Sequence, residues 1–246
     1  AGAELVRLRR VPRRQISKLN TVNAVSEHKR SSVGGEPRCV KISSLLRTLG
    51  LAMKPEPPPV VLASTSRYRR ALLERLLPAF SCQSPDVDET PLAGESPAAL
   101  AERLACLKAR SAAGGPAIVI GSDQVPALGS QVLSKPESLE PAMAQLQACS
   151  GRQVVFHTGV CVIGPGGTAE RFHMDRTIVH FRTLETAEIR RYLEREEPFD
   201  CAGSFKAEGL GVVLMERIEN EDPTGIQGLP LIWLANCLRS MGVPLP

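Results

Sequence analysis

From residue 59 onward, apolar and polar positions follow one another in blocks whose period changes several times. VVLA, residues 60–63, is a short apolar run that predicts a buried strand. From Arg67 to Leu77 the leucines at 72, 73, 76 and 77 fall at helical spacing. Residues 80–82 predict a short strand. After the polar loop SPDVDETPLAGES, Ser96 and Pro97 read as the N-cap and first position of a helix reaching about Ala112. The all-apolar run 117–121, closed by Ser122-Asp123, has the profile of a central strand whose end presents a carboxylate. Residues 125–133 predict a hairpin through LGS, and 141–149 a helix. Residues 153–163 and 169–181 predict two long strands joined by Gly164-Pro165-Gly166-Gly167. An amphipathic helix is predicted over 184–196, a strand over 211–218 and a last helix over 230–241.

Crossovers mixed with hairpins predict an α/β fold with a mixed, twisted sheet and flanking helices. In such sheets ligands gather at the carboxyl ends of strands. Three polar clusters occupy those places: residues 64–70, Ser122-Asp123-Gln124, and the segment before Gly209.

Charge divides the chain. Its first 54 residues hold 12 of the 30 Lys and Arg but 3 of the 26 Asp and Glu, which leaves residues 55–246 with 18 basic against 23 acidic. A basic nucleic-acid-binding core is therefore not expected, and RNA binding by the front piece rests on charge alone. Residues 1–52 are Arg- and Ser-rich and lack the apolar stretch of a secretory signal. They read as a transit peptide, as a flexible tail, or as sequence upstream of a natural start at Met53, with residues 53–246 as the folded domain. No apolar run approaches the roughly 18 residues of a membrane span. The seven cysteines are scattered, odd in number and without a C-x-x-C pair, so reduced thiols in a cytoplasmic protein are expected in place of a disulfide framework or a zinc site.

The cluster STSRYRR supplies hydroxyls, cations and the free N–H groups of a helix start, a combination suited to phosphate. It also fits a serine N-cap with a solvated basic first turn, although arginines there oppose the helix dipole. No Walker A loop or G-x-G-x-x-G is present. Asp86, Asp88 and Glu89 taken alone fit a solvated turn, whereas Asp123 beside a polyanion site suits a hard divalent cation or a general base. Lys135 alone reads as a surface residue; Lys206 is flanked by small residues that permit close approach of a ligand. His157, His173 and His180 fall in strands and have no metal-ligand spacing, and no nucleophile has a matching His/Asp partner. These residues point to metal-assisted hydrolysis of a phosphate compound by water.

The segments LASTSRYRR, VDET, RLACLKA, GSDQV, SKP, HTGV, CAGSFKAEG and GLPL follow one another between Pro59 and Pro246. In that order they resemble the Maf-type nucleoside triphosphate pyrophosphatases. The resemblance implies two lobes around a cleft, an architecture related to the inosine triphosphate pyrophosphatases, and a homodimer. It also implies Mg²⁺- or Mn²⁺-dependent hydrolysis between the α and β phosphates of a nucleotide. By position it implies Asp123 and Glu89 as the catalytic, metal-holding acids, and Ser64, Arg69, Lys108, Lys135 and Lys206 as the phosphate-binding set. Tyr68, Gln124 and Glu208 stand at the positions that separate substrates, and resemble the 7-methyl-GTP subgroup more than the dTTP/UTP subgroup. An aromatic ring can stack on a cationic purine, and a carboxylate can accept from guanine N–H groups. The family is also associated with inhibition of septum formation, which leaves a nucleotide-binding regulator as the alternative to an enzyme. Arg67, where the family has proline, and Tyr68, where the subgroup has Trp, depart from the pattern.

Overall fold

The computed structural model describes residues 56–246, so the 1–52 extension and the start at Met53 lie outside the described residues. Among the described residues, seven strands form one sheet: β1 Val60–Ala63, β2 Ser81–Gln83, β3 Ile118–Leu128, β4 Gln131–Val132, β5 Gln153–Ile163, β6 Glu170–Phe181 and β7 Met215–Glu219. Their order is β2-β1-β3-β5-β6-β7, with β4 paired to β3. β1 runs parallel to both β2 and β3, and the remaining pairings are antiparallel. Five helices flank the sheet: α1 Arg67–Glu74, α2 Pro97–Ser111, α3 Leu139–Cys149, α4 Thr186–Glu196 and α5 Leu231–Ser240.

The long strands β3 and β5 extend through two cores. One packs β1, α1 and α5 around Leu62, Leu73, Ile120, Leu234 and Leu238. The other packs α3 and α4 against Phe156, Val179 and Phe181. This is the mixed α/β architecture that the element order predicts, and the paired strands 153–163 and 170–181 match the expected hairpin almost residue for residue.

Two expectations are corrected. Asp123 does not close a strand: β1 pairs with β3 only as far as Ala63 opposite Gly121, but β3 continues to Leu128 against β5. The polar Ser-Asp-Gln and Pro126 read as a break because they lie beyond the end of β1, where one neighbour is lost and the other remains. The stretch 211–218 is likewise not a single strand; a 3₁₀ turn over Leu210–Leu214 precedes β7. A short apolar run does not by itself separate a strand from a helical turn.

Candidate active site

Where β1 ends, Ser64 is buried and its hydroxyl accepts from Ser66 N at 3.1 Å. Ser66 caps α1, accepting from Arg69 N at 3.4 Å. The serine N-cap that the sequence fits is therefore Ser66. The three arginines of the first turn diverge. Arg70 pairs with Glu74 at the surface, 3.1 Å away. Arg67 turns to Tyr68, donating to its hydroxyl at 2.7 Å, and to Asp200 at 3.3 Å. Arg69 turns inward, and its Nε donates to the Gly228 carbonyl at 2.9 Å. Burial pushes the Arg69 guanidinium toward losing its proton, and the carboxylates of Asp123 and Glu89 oppose that.

Helix α2 comes down on the sheet at two glycines. A Cβ on Gly121 would stand 2.3 Å from the Ala105 carbonyl oxygen, and one on Gly159 would stand 2.7 Å from that of Ala101. Only glycine allows this approach, and it carries the buried Lys108 to the acids. The Lys108 ammonium lies 2.6 Å from Asp123 Oδ1 and 2.7 Å from Glu89 Oε1. Lys108 thus bridges the two acids, one oxygen of each facing it. Of the other loop acids, Asp88 accepts from Thr90 N at 2.9 Å within its own turn, and Asp86 is exposed.

These groups line a cavity of about 570 Å³, within the usual range for a small-molecule site. Ser64, Arg69, Glu89, Lys108, Asp123 and Lys135 give it polar and charged surface, and Tyr68, Phe156, Phe205 and Ile226 give it apolar surface. Gln124 and Glu208 also face it. In the ladder Phe156 pairs with Pro126 and Gly159 with Asp123, so the backbone positions of the aromatic and the acid lie three residues, about 10 Å, apart along the strands. The cavity therefore offers a ligand both charged and flat apolar surface.

Lys206 is not among the lining residues. Its ammonium donates to the Glu196 carbonyl at 2.7 Å, covering the C-terminal end of α4. Gln124 lines the cavity with its donor already engaged: Nε2 faces Thr158 Oγ1 at 2.9 Å and the Gly225 and Ile226 carbonyls at 3.0 Å. What remains for a ligand is its side-chain carbonyl, an acceptor. His173 stacks on Trp233 and His180 pairs with Glu219.

The family model described as "Maf-like protein" matches residues 59–241. The chain belongs to the Maf family. A curated relative from Polaromonas sp. is 49% identical over 200 residues, covering 80% of this chain and 91% of its own length. A relative from Xanthomonas oryzae pv. oryzae is 53% identical over 191 residues, 77% of this chain and 100% of its own. One from Thiobacillus denitrificans is 50% identical over 188 residues, 76% and 94%. All three are named 7-methyl-GTP pyrophosphatase.

Several residues that support the Maf cavity are assigned no role from the sequence. Ser122 lies under it, its Oγ 2.8 Å from the Gly228 carbonyl that also receives Arg69. Gly228 is held at φ +99°, a conformation that favours glycine. Asp222 fixes that loop by accepting from Thr224 N at 2.9 Å and Ile232 N at 2.7 Å. Arg103, on α2, grips the loop of Glu89. It donates to Glu95 from Nε at 2.7 Å and Nη2 at 2.8 Å, and to the Thr90 carbonyl at 3.0 Å.

The Arg103 guanidinium, with the Leu92 amide, holds the Glu95 carboxyl down at about 2. A depressed carboxyl stabilises the fold above its ordinary pKa and loses that contribution as pH falls through the ordinary carboxylate range toward 2. Glu95→Gln is therefore expected to lower stability at neutral pH and to flatten the acid limb of the stability profile. It is also expected to cost roughly 10- to 100-fold in turnover, since a shift of about 1 Å in a positioned group has that order of effect. Urea melts from pH 2 to 7 with parallel rate measurements check both; an unchanged acid limb would show that the pair does not hold the loop.

Proposed function

We propose that the chain hydrolyses the bond between the α and β phosphates of a nucleoside triphosphate, most readily 7-methyl-GTP, giving the nucleoside monophosphate and pyrophosphate. The observation that carries this reading is the Lys108 bridge between Asp123 and Glu89, set beside Arg69 in a cavity with an aromatic end.

Charge supports the assignment. Lys108 and Arg69 together offset the two carboxylates, so the site is close to neutral without ligand, and a polyphosphate needs further positive charge. Exposed Lys135 supplies one part. A divalent cation fits the rest, because Asp123 Oδ2 and Glu89 Oε2, the oxygens not facing Lys108, are hard donors of the kind Mg²⁺ and Mn²⁺ prefer. Such a cation, held by Asp123 and Glu89, would neutralise phosphate charge and polarise the phosphoryl oxygens.

The chain's own residues perform the remaining work. Ser64 and Arg69 hold phosphate oxygens at the end of β1, with Arg69 aimed by the Gly228 carbonyl. Asp123, its Oδ1 fixed by Lys108, accepts a proton from the attacking water on the lone pair of Oδ2 that a cation would leave free. Water adds to phosphorus as the bridging P–O bond breaks, and pyrophosphate leaves with that oxygen. Tyr68 stacks on the base, Glu208 accepts from its N–H edge, and Gln124 offers a carbonyl to a donor. Lys206 is left at the end of α4 and has no part in this account.

Product analysis by ³¹P NMR with 7-methyl-GTP and Mg²⁺ or Mn²⁺ is the test. Pyrophosphate and monophosphate are expected; orthophosphate with diphosphate would overturn the assigned bond.

Arg67 touches the base end. Its guanidinium lies 4.8 Å from the Tyr68 ring centroid, where a cationic base would stack. Arg67→Ala is expected to lower KM for 7-methyl-GTP by about 2- to 5-fold, the scale of an exposed cation–π contact, and to leave kcat and the KM for uncharged bases nearly unchanged. An equal rise in KM for all triphosphates would instead place Arg67 on the phosphates.

A further inference from the structure

On the face of β5 and β6 that carries α2, the strand register gathers a second set of chemically active groups. Cys161 lies opposite Phe172, and Ile163 lies opposite Glu170. Residues facing each other across a ladder share a side of the sheet, and alternate residues return to it. Cys161 and Glu170 are therefore diagonal neighbours on one face. Helix α2 rests on that face and presents Cys106, with Arg110 one turn later on the same stripe. The two sulfurs and a carboxylate oxygen of Glu170 all lie within 4.8 Å of one another. Both thiols are buried, and Glu170 is the exposed member, leaving an approach from solvent.

We propose that Cys106, Cys161 and Glu170 form a binding site for a thiophilic divalent cation of the zinc class, separate from the hydrolytic cavity. Two thiolates at about 2.3 Å and a carboxylate oxygen at about 2.1 Å from a tetrahedral ion stand roughly 3.5–4 Å apart, so the spacing needs only a small contraction. Thiolate donors select zinc over the hard cations suited to Asp123 and Glu89. Binding forms two metal–sulfur bonds and one metal–oxygen bond, and the two thiols release two protons to solvent; no oxidation state changes. The fourth position, toward solvent, is open to water.

Arg110 is the competitor. It donates to both Glu170 oxygens, at 3.0 and 2.6 Å. Both partners are substantially exposed, 56% and 38% for the side chains, and ion pairs of that kind contribute little compared with zinc–thiolate bonds. The pair acts as a displaceable cover. Once formed, the site joins α2, the helix that carries Lys108, to β5 and β6.

The test uses the full chain, reduced and freed of metal, titrated with Cd²⁺ and Zn²⁺. The expected result is one Cd²⁺ per chain with thiolate-to-metal absorption in the ultraviolet, release of two protons, and competition by Zn²⁺. The absorption should disappear in Cys106→Ala and in Cys161→Ala and persist in Cys82→Ala. Glu170→Gln should weaken Cd²⁺ at least about tenfold, as loss of a ligand or its close support does. Arg110→Gln, which removes the competitor, should tighten it. Absence of the band in the parent chain, or a band undiminished in both cysteine variants, overturns the site. Glu170→Gln is a surface change that keeps the fold even if an alanine at a buried sulfur does not, and an unchanged Cd²⁺ affinity in that variant overturns the site as well.

Discussion

Asp123→Asn is expected to lower turnover of 7-methyl-GTP by about 10²- to 10⁴-fold, the range for loss of a positioned proton acceptor, with the fold unchanged. Asn has the shape of Asp and can still accept from Lys108 Nζ, 2.6 Å from the Asp123 oxygen, so the packing of α2 on β3 has no reason to change. What the amide lacks is the charge and basicity the reaction uses. With Mg²⁺ at saturation, so that Glu89 still holds the cation, removing a negative charge beside the phosphates should leave substrate affinity equal or higher. The diagnostic pattern is therefore a collapsed kcat with retained binding, read by stopped turnover and by calorimetry with the uncleaved nucleotide. Turnover within a few-fold of the parent would remove Asp123 from the chemistry. Loss of binding together with the fold would make its role structural.

Gly121→Ala is the second large effect, and it enters through packing. The added methyl would lie 2.3 Å from the Ala105 oxygen and 2.4 Å from the Ala109 nitrogen, both backbone atoms of α2 that cannot rotate aside. The helix must lift from β3, at a cost of about 1–3 kcal/mol for forced overpacking. Lys108, on that helix, must move with it. Stability and turnover should therefore fall together. Gly115→Ala, where a Cβ meets nothing within 4 Å, is the control and should change neither. Urea unfolding paired with rates decides this: parent-like stability in Gly121→Ala would mean that the close approach of α2 is not what places Lys108.

Much of this architecture is legible in the sequence where one element dictates its own pattern. Ser96-Pro97 marks the start of α2 with its own cap, and the two eleven- and twelve-residue strands around Gly164 announce their hairpin by composition. Asp123 stands out because a carboxylate inside an apolar strand has few other reasons to be there, and Arg69 and Ser64 because a strand-to-helix junction is a natural anion site. What the pattern hides is relational. Lys108 looks like an ordinary helix lysine until Gly121 and Gly159 let α2 close on the sheet. Arg103 and Asp222 act only through loops that the fold brings to them. Lys206 shows the reverse: its small neighbours suggest a ligand, but the nearby end of α4 offers carbonyls that take its ammonium. The Cys106, Cys161 and Glu170 cluster has no recognisable spacing because three separate elements contribute one group each.

The account joins a polyphosphate-hydrolysing end to an aromatic end that favours a cationic base, so base preference and pyrophosphate release must be measured together. The most direct test is kcat/KM for pyrophosphate release from 7-methyl-GTP, GTP, dTTP, UTP and CTP, with Mg²⁺ and with Mn²⁺. The account predicts 7-methyl-GTP well above the others, GTP next among them for sharing its N–H edge. Higher values for dTTP and UTP than for 7-methyl-GTP would contradict the roles given to Tyr68 and Glu208, and no pyrophosphate from any of the five would contradict the account as a whole.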